Sequence, residues 1–109
     1  MNTPDTAEKY EAFVAADDES PPTIQFNFDT GNACALPYAD LAAVEFNRSG
    51  MITIEFSSRK VILTGRRLDD LFASLVRYQV ISVRQHAMTD ARPPSGECCV
   101  DEMVIVENE

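Results

Sequence analysis

Between Val44 and Leu63, apolar and polar residues alternate, and this alternation constrains the fold more than any other feature of the chain. A period of two places every second side chain on the same face of an extended strand, so one face of a sheet becomes apolar and the other polar. The alternation breaks at Asn47–Gly50, whose composition is typical of a tight turn, and again at Ser57–Arg59. The sequence therefore predicts an antiparallel hairpin followed by a third strand.

After Gly65 the spacing of the apolar residues changes from two to that of a helix. Apolar residues now recur at alternating intervals of three and one, which places them in a stripe along one side of a helix. They are Leu68, Leu71, Phe72, Leu75 and Val76. This spacing predicts an amphipathic helix over residues 66–77, which contain neither proline nor glycine. An apolar stripe and an apolar sheet face are both costly in water, so we expect the helix to cover one face of the sheet. The β-rich segment Val80–Arg84 should then return alongside the sheet.

Two further strands are predicted before the hairpin, at Thr23–Phe28 and Ala33–Leu36, around a turn at Asp29–Asn32. The expected fold class is α+β. We expect a mainly antiparallel sheet of five to six strands, curved and PH-like in outline, with one long amphipathic helix packed on one face.

Composition divides the chain into three parts. We expect an acidic, flexible N-terminal arm over residues 1–21, a single α+β domain over 22–86, and an acidic tail over 87–109 that can add a strand at 100–106. Within the arm, the spacing of apolar residues also allows a short helix from Ala7 to Ala16.

The net charge of −9 belongs to the ends of the chain. Residues 1–23 and residues 87–109 each hold six acidic residues and one basic residue, whereas residues 24–86 hold six acidic and seven basic residues. This distribution leaves no basic stripe for nucleic acid. No apolar run approaches the roughly 20 residues that span a bilayer. We therefore expect neither nucleic acid nor membrane among the partners.

The cysteines and the N-terminus favour a cytoplasmic protein. The three cysteines, Cys34, Cys98 and Cys99, form no Cys-x-x-Cys motif, so neither a disulfide framework nor a zinc site is predicted. The first residues lack the basic and apolar regions of a signal peptide. No metal and no cofactor is expected.

The sequence holds no complete catalytic set. Histidine occurs once, at His86, and no glycine-rich phosphate-binding loop is present. A non-catalytic interaction module is therefore the first functional hypothesis, with a protein partner or self-association.

One motif supports an enzyme as the alternative. Phe28-Asp29-Thr30-Gly31 resembles the catalytic turn of aspartic proteases, and Ile62–Arg66 resembles the apolar segment before a glycine in the second half of a retroviral-type protease. The resemblance implies a homodimer in which Asp29 and its symmetry mate share a proton and activate water. The other interpretation of Asp-Thr-Gly is a good turn, because Asp bonds backbone groups and Gly accepts positive φ.

Four cations suggest a third possibility, an anion-binding module. Arg66 and Arg67 precede the predicted helix, where two positive charges oppose the helix dipole, and Arg59 and Lys60 could converge on them. The alternative is that all four are solvated charges paired with acidic residues.

Met51 and Ile62 are apolar exceptions on the polar face of the predicted sheet. Isolated apolar residues ringed by polar ones suit a modest interface, and a homodimer would supply the missing layer. The alternative is a solvated face on a monomer.

Overall fold

The structure, a computed structural model, describes residues 10–87 and 97–107 of the 109-residue chain. The described residues form eight strands, one α-helix and a short 3₁₀ turn at Tyr38–Asp40. In chain order the elements are β1 (Phe13–Ala15), β2 (Thr23–Asn27), β3 (Ala33–Pro37), β4 (Leu41–Phe46), β5 (Ile52–Phe56), β6 (Arg59–Arg66), α1 (Asp69–Val76), β7 (Val80–Arg84) and β8 (Cys99–Glu107).

The strands form two four-stranded sheets. Sheet 1 has the order β1-β7-β2-β3, in which only the β2–β7 pair is parallel. Sheet 2 has the order β4-β5-β6-β8 and is antiparallel throughout. The core lies between the sheets, where the Phe26 ring of sheet 1 meets the Phe56 ring of sheet 2 edge to face, with ring centroids 6.4 Å apart.

The predicted hairpin is confirmed as β4 and β5. Val44 pairs with Ile54 and Phe46 with Ile52, which keeps these four apolar side chains on one face. The side-chain oxygen of Asn47 accepts hydrogen bonds from the backbone N–H groups of Ser49 (3.0 Å) and Met51 (3.1 Å), which closes the turn.

The α+β class is confirmed, but the number of strands and the length of the helix differ from the prediction. Eight strands in two sheets replace one sheet of five or six, and α1 has eight residues instead of spanning 66–77. The helix begins late because Arg66 ends β6 and Arg67 adopts φ 57°, so Leu68 is its N-cap. The buried Leu68 therefore belongs to the turn that precedes the helix, although it fits the helical spacing.

The position of α1 also differs from the prediction. The helix packs against β4 of sheet 2 and β7 of sheet 1, so it bridges the two sheets and does not lie across the face of one. Its residues Leu71 and Leu75 are fully buried, whereas Val76 is exposed. The apolar stripe is thus buried on one side only.

Both flanks of residues 22–86 contribute to the core. Tyr10 and Ala12 are buried, and residues 13–15 form a strand paired with β7, so the helix expected for Ala7–Ala16 is wrong over its described part. The Tyr10 hydroxyl donates to the Arg84 carbonyl at 2.7 Å and accepts from the Val100 N–H at 3.0 Å. This hydroxyl ties the segment before β1 to both β7 and β8.

At the other end of the chain, β8 pairs along the whole of β6 and buries Cys99, Val100 and Met103. Without β8, β6 would be the open edge of sheet 2. Residues 1–9 of the expected arm, together with 88–96 and 108–109 of the expected tail, lie outside the described residues.

Candidate functional site

An apolar groove lies between β4 and the C-terminal end of α1. Its lining consists of Leu41, Ala42, Ala43, Val44, Leu75, Val76 and Tyr78, and its volume is about 210 Å³. Ligand pockets for drug-sized molecules have volumes of roughly 300–1,000 Å³. The groove is therefore too small for such a ligand, and its size and apolar lining suit one or two side chains of another polypeptide.

Apolar side chains around the groove are exposed to solvent. Val76 is 54 % exposed and Tyr78 is 42 % exposed. Phe46, at the far end of β4, is 38 % exposed and contacts the ring of Phe72 on α1, with centroids 5.4 Å apart. A continuous apolar strip therefore runs from Phe46 along the groove to Tyr78, and such strips mark contact surfaces more often than single exposed side chains do.

Tyr78 occupies a backbone conformation that is unusual for its side chain. The N–H of Tyr78 donates to the Leu75 carbonyl and the N–H of Gln79 to the Ser74 carbonyl, each at 3.0 Å, which is the Schellman arrangement at a helix C-terminus. That arrangement needs positive φ, usually from glycine, and Tyr78 has φ 61°. Strain of this kind, on the order of 1 kcal/mol or more, is concentrated at functional positions.

The Tyr78 ring is held in place by stacking. It lies parallel to the Tyr38 ring, with centroids 5.0 Å apart and an interplanar angle of 14°, and the Tyr38 hydroxyl donates to the Val80 carbonyl at 2.8 Å. Burial raises the pKa of the Tyr38 hydroxyl to about 12. The groove thus ends at a pre-ordered aromatic pair.

The backbone of β4 is open beside the groove. The Asn47 N–H donates to the Met51 carbonyl at 3.0 Å, so the backbone of Asn47 faces β5. Because backbone direction alternates along an antiparallel strand, Glu45 also faces β5 while Val44 and Phe46 face away from it. No hydrogen bond within residues 10–87 and 97–107 satisfies the outward-facing groups of Val44 and Phe46, because β4 is the edge of sheet 2.

Among the four sheet edges that the structure describes, β4 is the least protected. Proteins usually guard open edges with shortness, proline or charge. The edge strand β1 has three residues, β3 ends in Pro37, and β8 carries three acidic residues. β4 has six residues and one charged side chain, Glu45, with a bulge between Leu41 and Ala43.

The four cations predicted to bind an anion do not form one site. Arg59 begins β6 and Arg66 ends it, and at about 3.3 Å per residue the two are roughly 20 Å apart. Lys60 forms an ion pair with Glu55 at 3.8 Å, and Arg59 donates to the Cys34 sulfur at 3.3 Å. Arg67 lies exposed in the turn before α1, so convergence of the four is ruled out by their positions.

Asp29 lies exposed in the turn between β2 and β3. The Gly31 N–H donates to the Phe28 carbonyl at 3.1 Å, and Gly31 has φ 94°, so Asp-Thr-Gly forms a tight turn here. The backbone N–H of Asp29 donates to the side-chain oxygen of Gln85 at 3.3 Å. The other segment with a protease resemblance, residues 62–66, lies in β6 of the other sheet.

Ile62 lies on the outer face of sheet 2 beside residues of β8. It pairs with Val104, and the neighbouring Lys60 pairs with Val106; Val104 is 49 % and Val106 is 41 % exposed. We call Ile62, Val104 and Val106 the outer patch. Met51, the other predicted anchor, is half-buried and lies just before β5. The two valines were missed as surface residues because their strand partner could not be read from the sequence.

Little in the described part of the chain favours metal or thiol chemistry. Burial raises the pKa of the Cys98 thiol to about 12 and also raises the pKa of Cys99, which keeps both thiols protonated at neutral pH. Over residues 10–87 and 97–107, no group of three His, Cys, Asp or Glu side chains is placed to hold a metal ion. The single described α-helix is too short to cross a membrane.

In comparisons with known proteins, no protein-family model, curated protein or solved structure matches this chain.

Proposed function

We propose that this protein is a non-catalytic interaction module that binds another polypeptide along β4 and in the groove beside it. The observation that carries the proposal is the combination of an unprotected edge strand with an adjoining apolar groove. An added strand gains backbone hydrogen bonds along the edge, and alternate side chains of that strand enter neighbouring pockets.

The two parts of the surface supply different components of binding. The outward-facing backbone of Val44 and Phe46 provides affinity that is independent of the bound sequence. The groove provides selectivity, because an apolar side chain buried there gains roughly 25 cal/mol per Å² of apolar area removed from water, whereas a charged one would lose its hydration.

Site-specific photocrosslinking in cell extract tests the proposal. A benzophenone amino acid replaces Val76, which is exposed at the groove, and the same amino acid replaces Thr30, in the β2–β3 turn, as the control. We expect a covalent adduct with a polypeptide from position 76 that position 30 does not give. Identical adducts from both positions, or none from position 76, would contradict the proposal.

A second variant shows whether the adduct depends on strand addition. Val44→Pro removes the outward-facing N–H of Val44, at the centre of the open edge, but removes no donor to β5. In a chain that carries the probe at 76, this change should abolish the adduct while the thermal unfolding curve stays cooperative. An undiminished adduct would mean that the groove binds its partner without an added strand.

The outer patch is proposed as a second contact surface, for one reason: Val104 and Val106 extend the apolar area around Ile62 to the edge of sheet 2. The same photoreactive amino acid at position 104 tests it, and an adduct that Ile62→Lys removes would support it. The absence of any adduct from position 104 would leave β4 and the groove as the proposed surface.

A further inference from the structure

We infer that the polypeptide bound at β4 is a second copy of this chain, and that the two copies pair β4 antiparallel about Val44. The inference rests on the proposed function and names its partner. Such a pair joins the two copies of sheet 2 into one eight-stranded sheet and places both α1 helices on the same side of it. Backbone direction, charge and side-chain size along residues 40–48 all favour this pairing.

Backbone direction limits the possible registers. The outward-facing backbone groups belong to even-numbered residues, Val44 and Phe46, so a two-fold axis through Val44 lets the two Val44 residues exchange both of their N–H and C=O groups. A two-fold axis through Glu45 would place two glutamates directly opposite each other, which destabilises a strand pair. The register about Val44 avoids this, because it sets each Glu45 opposite Ala43.

Charge favours the same register. Asp40 and Arg48 are both exposed and lie four residues before and four residues after Val44. Asp40 lies in the short turn before β4 and Arg48 in the turn after it. A two-fold axis at Val44 therefore places Asp40 of one copy near Arg48 of the other, just beyond both ends of the paired strands. The pairing thus brings opposite charges together at both ends and sets no like charges opposite each other.

Side-chain size is complementary as well. In this register Phe46 of one copy lies opposite the bulge at Ala42 of the other, and Ala42 lines the groove. The exposed part of the Phe46 ring then meets the mouth of the groove, next to Val76 and Tyr78. Each copy gives one aromatic ring and receives one, as expected for an isologous interface.

The other long edge of sheet 2 does not suit self-pairing. β8 carries Asp101, Glu102 and Glu107 and no basic residue. Antiparallel pairing of two β8 strands about Val104 would place Asp101 opposite Glu107 twice. Residues 40–48, with two acidic residues and one basic residue, carry no such penalty in the Val44 register.

Sedimentation equilibrium of the purified full chain tests the inference. The wild type should approach twice the chain mass of 12.1 kDa as its concentration rises. Phe46→Arg and Val76→Arg should each raise the dissociation constant at least about tenfold, because each buries a charge at the interface. Val14→Arg is the matched control, since Val14 is a comparably exposed valine on the edge strand β1 of sheet 1, and it should leave the dimer unchanged.

A charge-swap experiment tests the register itself. Asp40→Arg and Arg48→Asp should each weaken self-association, because each homodimer then contains two like-charge pairs. Mixing the two variants restores both pairs in a heterodimer, which should regain wild-type affinity. Recovery on mixing cannot result from loss of fold, so this result separates a broken interface from a misfolded chain.

The outcomes distinguish this inference from the function on which it rests. A wild type that stays monomeric at its highest soluble concentration overturns the second copy as partner, and a Val76 photoadduct with a different polypeptide would then still support the interaction module. A dimer that Ile62→Lys dissociates, and that Phe46→Arg does not, places the interface on the outer patch and also overturns the inference. No recovery of affinity in the charge-swap mixture overturns the Val44 register.

Discussion

Single residues determine the form of the candidate site. Val76 follows the helical spacing of a core residue, yet it is exposed because α1 ends at this residue and β4 lies to one side of it. Tyr78 adopts positive φ where glycine is usual, and its ring stacks on Tyr38. The spacing of apolar residues placed Val76 on the apolar stripe of the helix but did not predict its exposure. The conformation of Tyr78 depends on how the chain leaves the helix and could not be predicted.

The Asp-Thr-Gly motif allows a direct prediction at the residue scale. Asp29→Asn should change the free energy of unfolding by less than about 1 kcal/mol, because Asp29 is exposed and the turn is formed by backbone bonds and Gly31. Chemical denaturation of both chains measures this. Peptide cleavage by the wild type at acidic pH that Asp29→Asn abolishes would instead establish the aspartic protease alternative.

Tyr38 predicts how stability changes at alkaline pH. Burial raises its pKa from 10.0 to about 12, so the folded chain holds this proton more tightly than the unfolded chain does. The stabilisation is complete below pH 10 and is lost as the pH rises from about 10 to about 12. Thermal melts across this window should show a falling Tm.

The control for the alkaline prediction is Tyr38→Phe. The variant should lose Tm less steeply between pH 10 and pH 12, although part of the slope remains because burial also raises the pKa of Tyr10 and of Cys98. An identical slope in both chains would show that Tyr38 does not titrate in this window.

At the scale of elements, it was easier to predict which segments form strands than to predict which strands pair with each other. The alternation around Ile52 and Ile54 predicts the hairpin, because both faces of both strands are specified by local sequence. The valines of β8 are β-prone, but nothing local indicates that β6 is their partner. The helix was predicted too long because the buried Leu68 fits the spacing and yet lies in the turn before α1.

The contact between β6 and β8 depends on Gly65. A Cβ atom at this position would overlap the carbonyl oxygen of Cys99, which is backbone and cannot rotate away. Gly65→Ala should therefore lower the free energy of unfolding by about 2–3 kcal/mol. Urea denaturation measures the loss, and Thr64→Ala on the same strand, which adds no atom, should cost less than about 1 kcal/mol.

Tyr10 links three elements, and its hydroxyl gives a second prediction at this scale. Tyr10→Phe leaves the Val100 N–H without its acceptor and removes a donor from the Arg84 carbonyl, so it should cost about 1–3 kcal/mol. Faster hydrogen exchange at the Val100 amide, measured by NMR, should accompany the loss. Unchanged exchange at that amide would mean that the hydroxyl does not hold β8 in place.

At the scale of the whole molecule, two sheets enclose one core, and their edge strands differ in how well they are protected against pairing with another strand. The charge distribution in the sequence agrees with this picture, because β8 carries three acidic residues and no basic one, whereas residues 40–48 carry two acidic residues and one basic residue. The groove itself could not be predicted, since it forms between β4 and α1, which are brought together only when α1 bridges the sheets. The proposed contact surface is therefore a product of the packing of these elements.

Hydrogen exchange at individual amides of β4 tests this account most directly. In the dilute chain the Val44 amide should exchange fast because it faces solvent, while the Glu45 amide, which faces β5, should exchange slowly. When the chain self-associates, or when the polypeptide crosslinked through position 76 is added, the Val44 amide should become as slow as the Glu45 amide. A Val44 amide that stays fast in the assembled state, with new protection appearing on β8 instead, would contradict the claim that β4 is the contact surface.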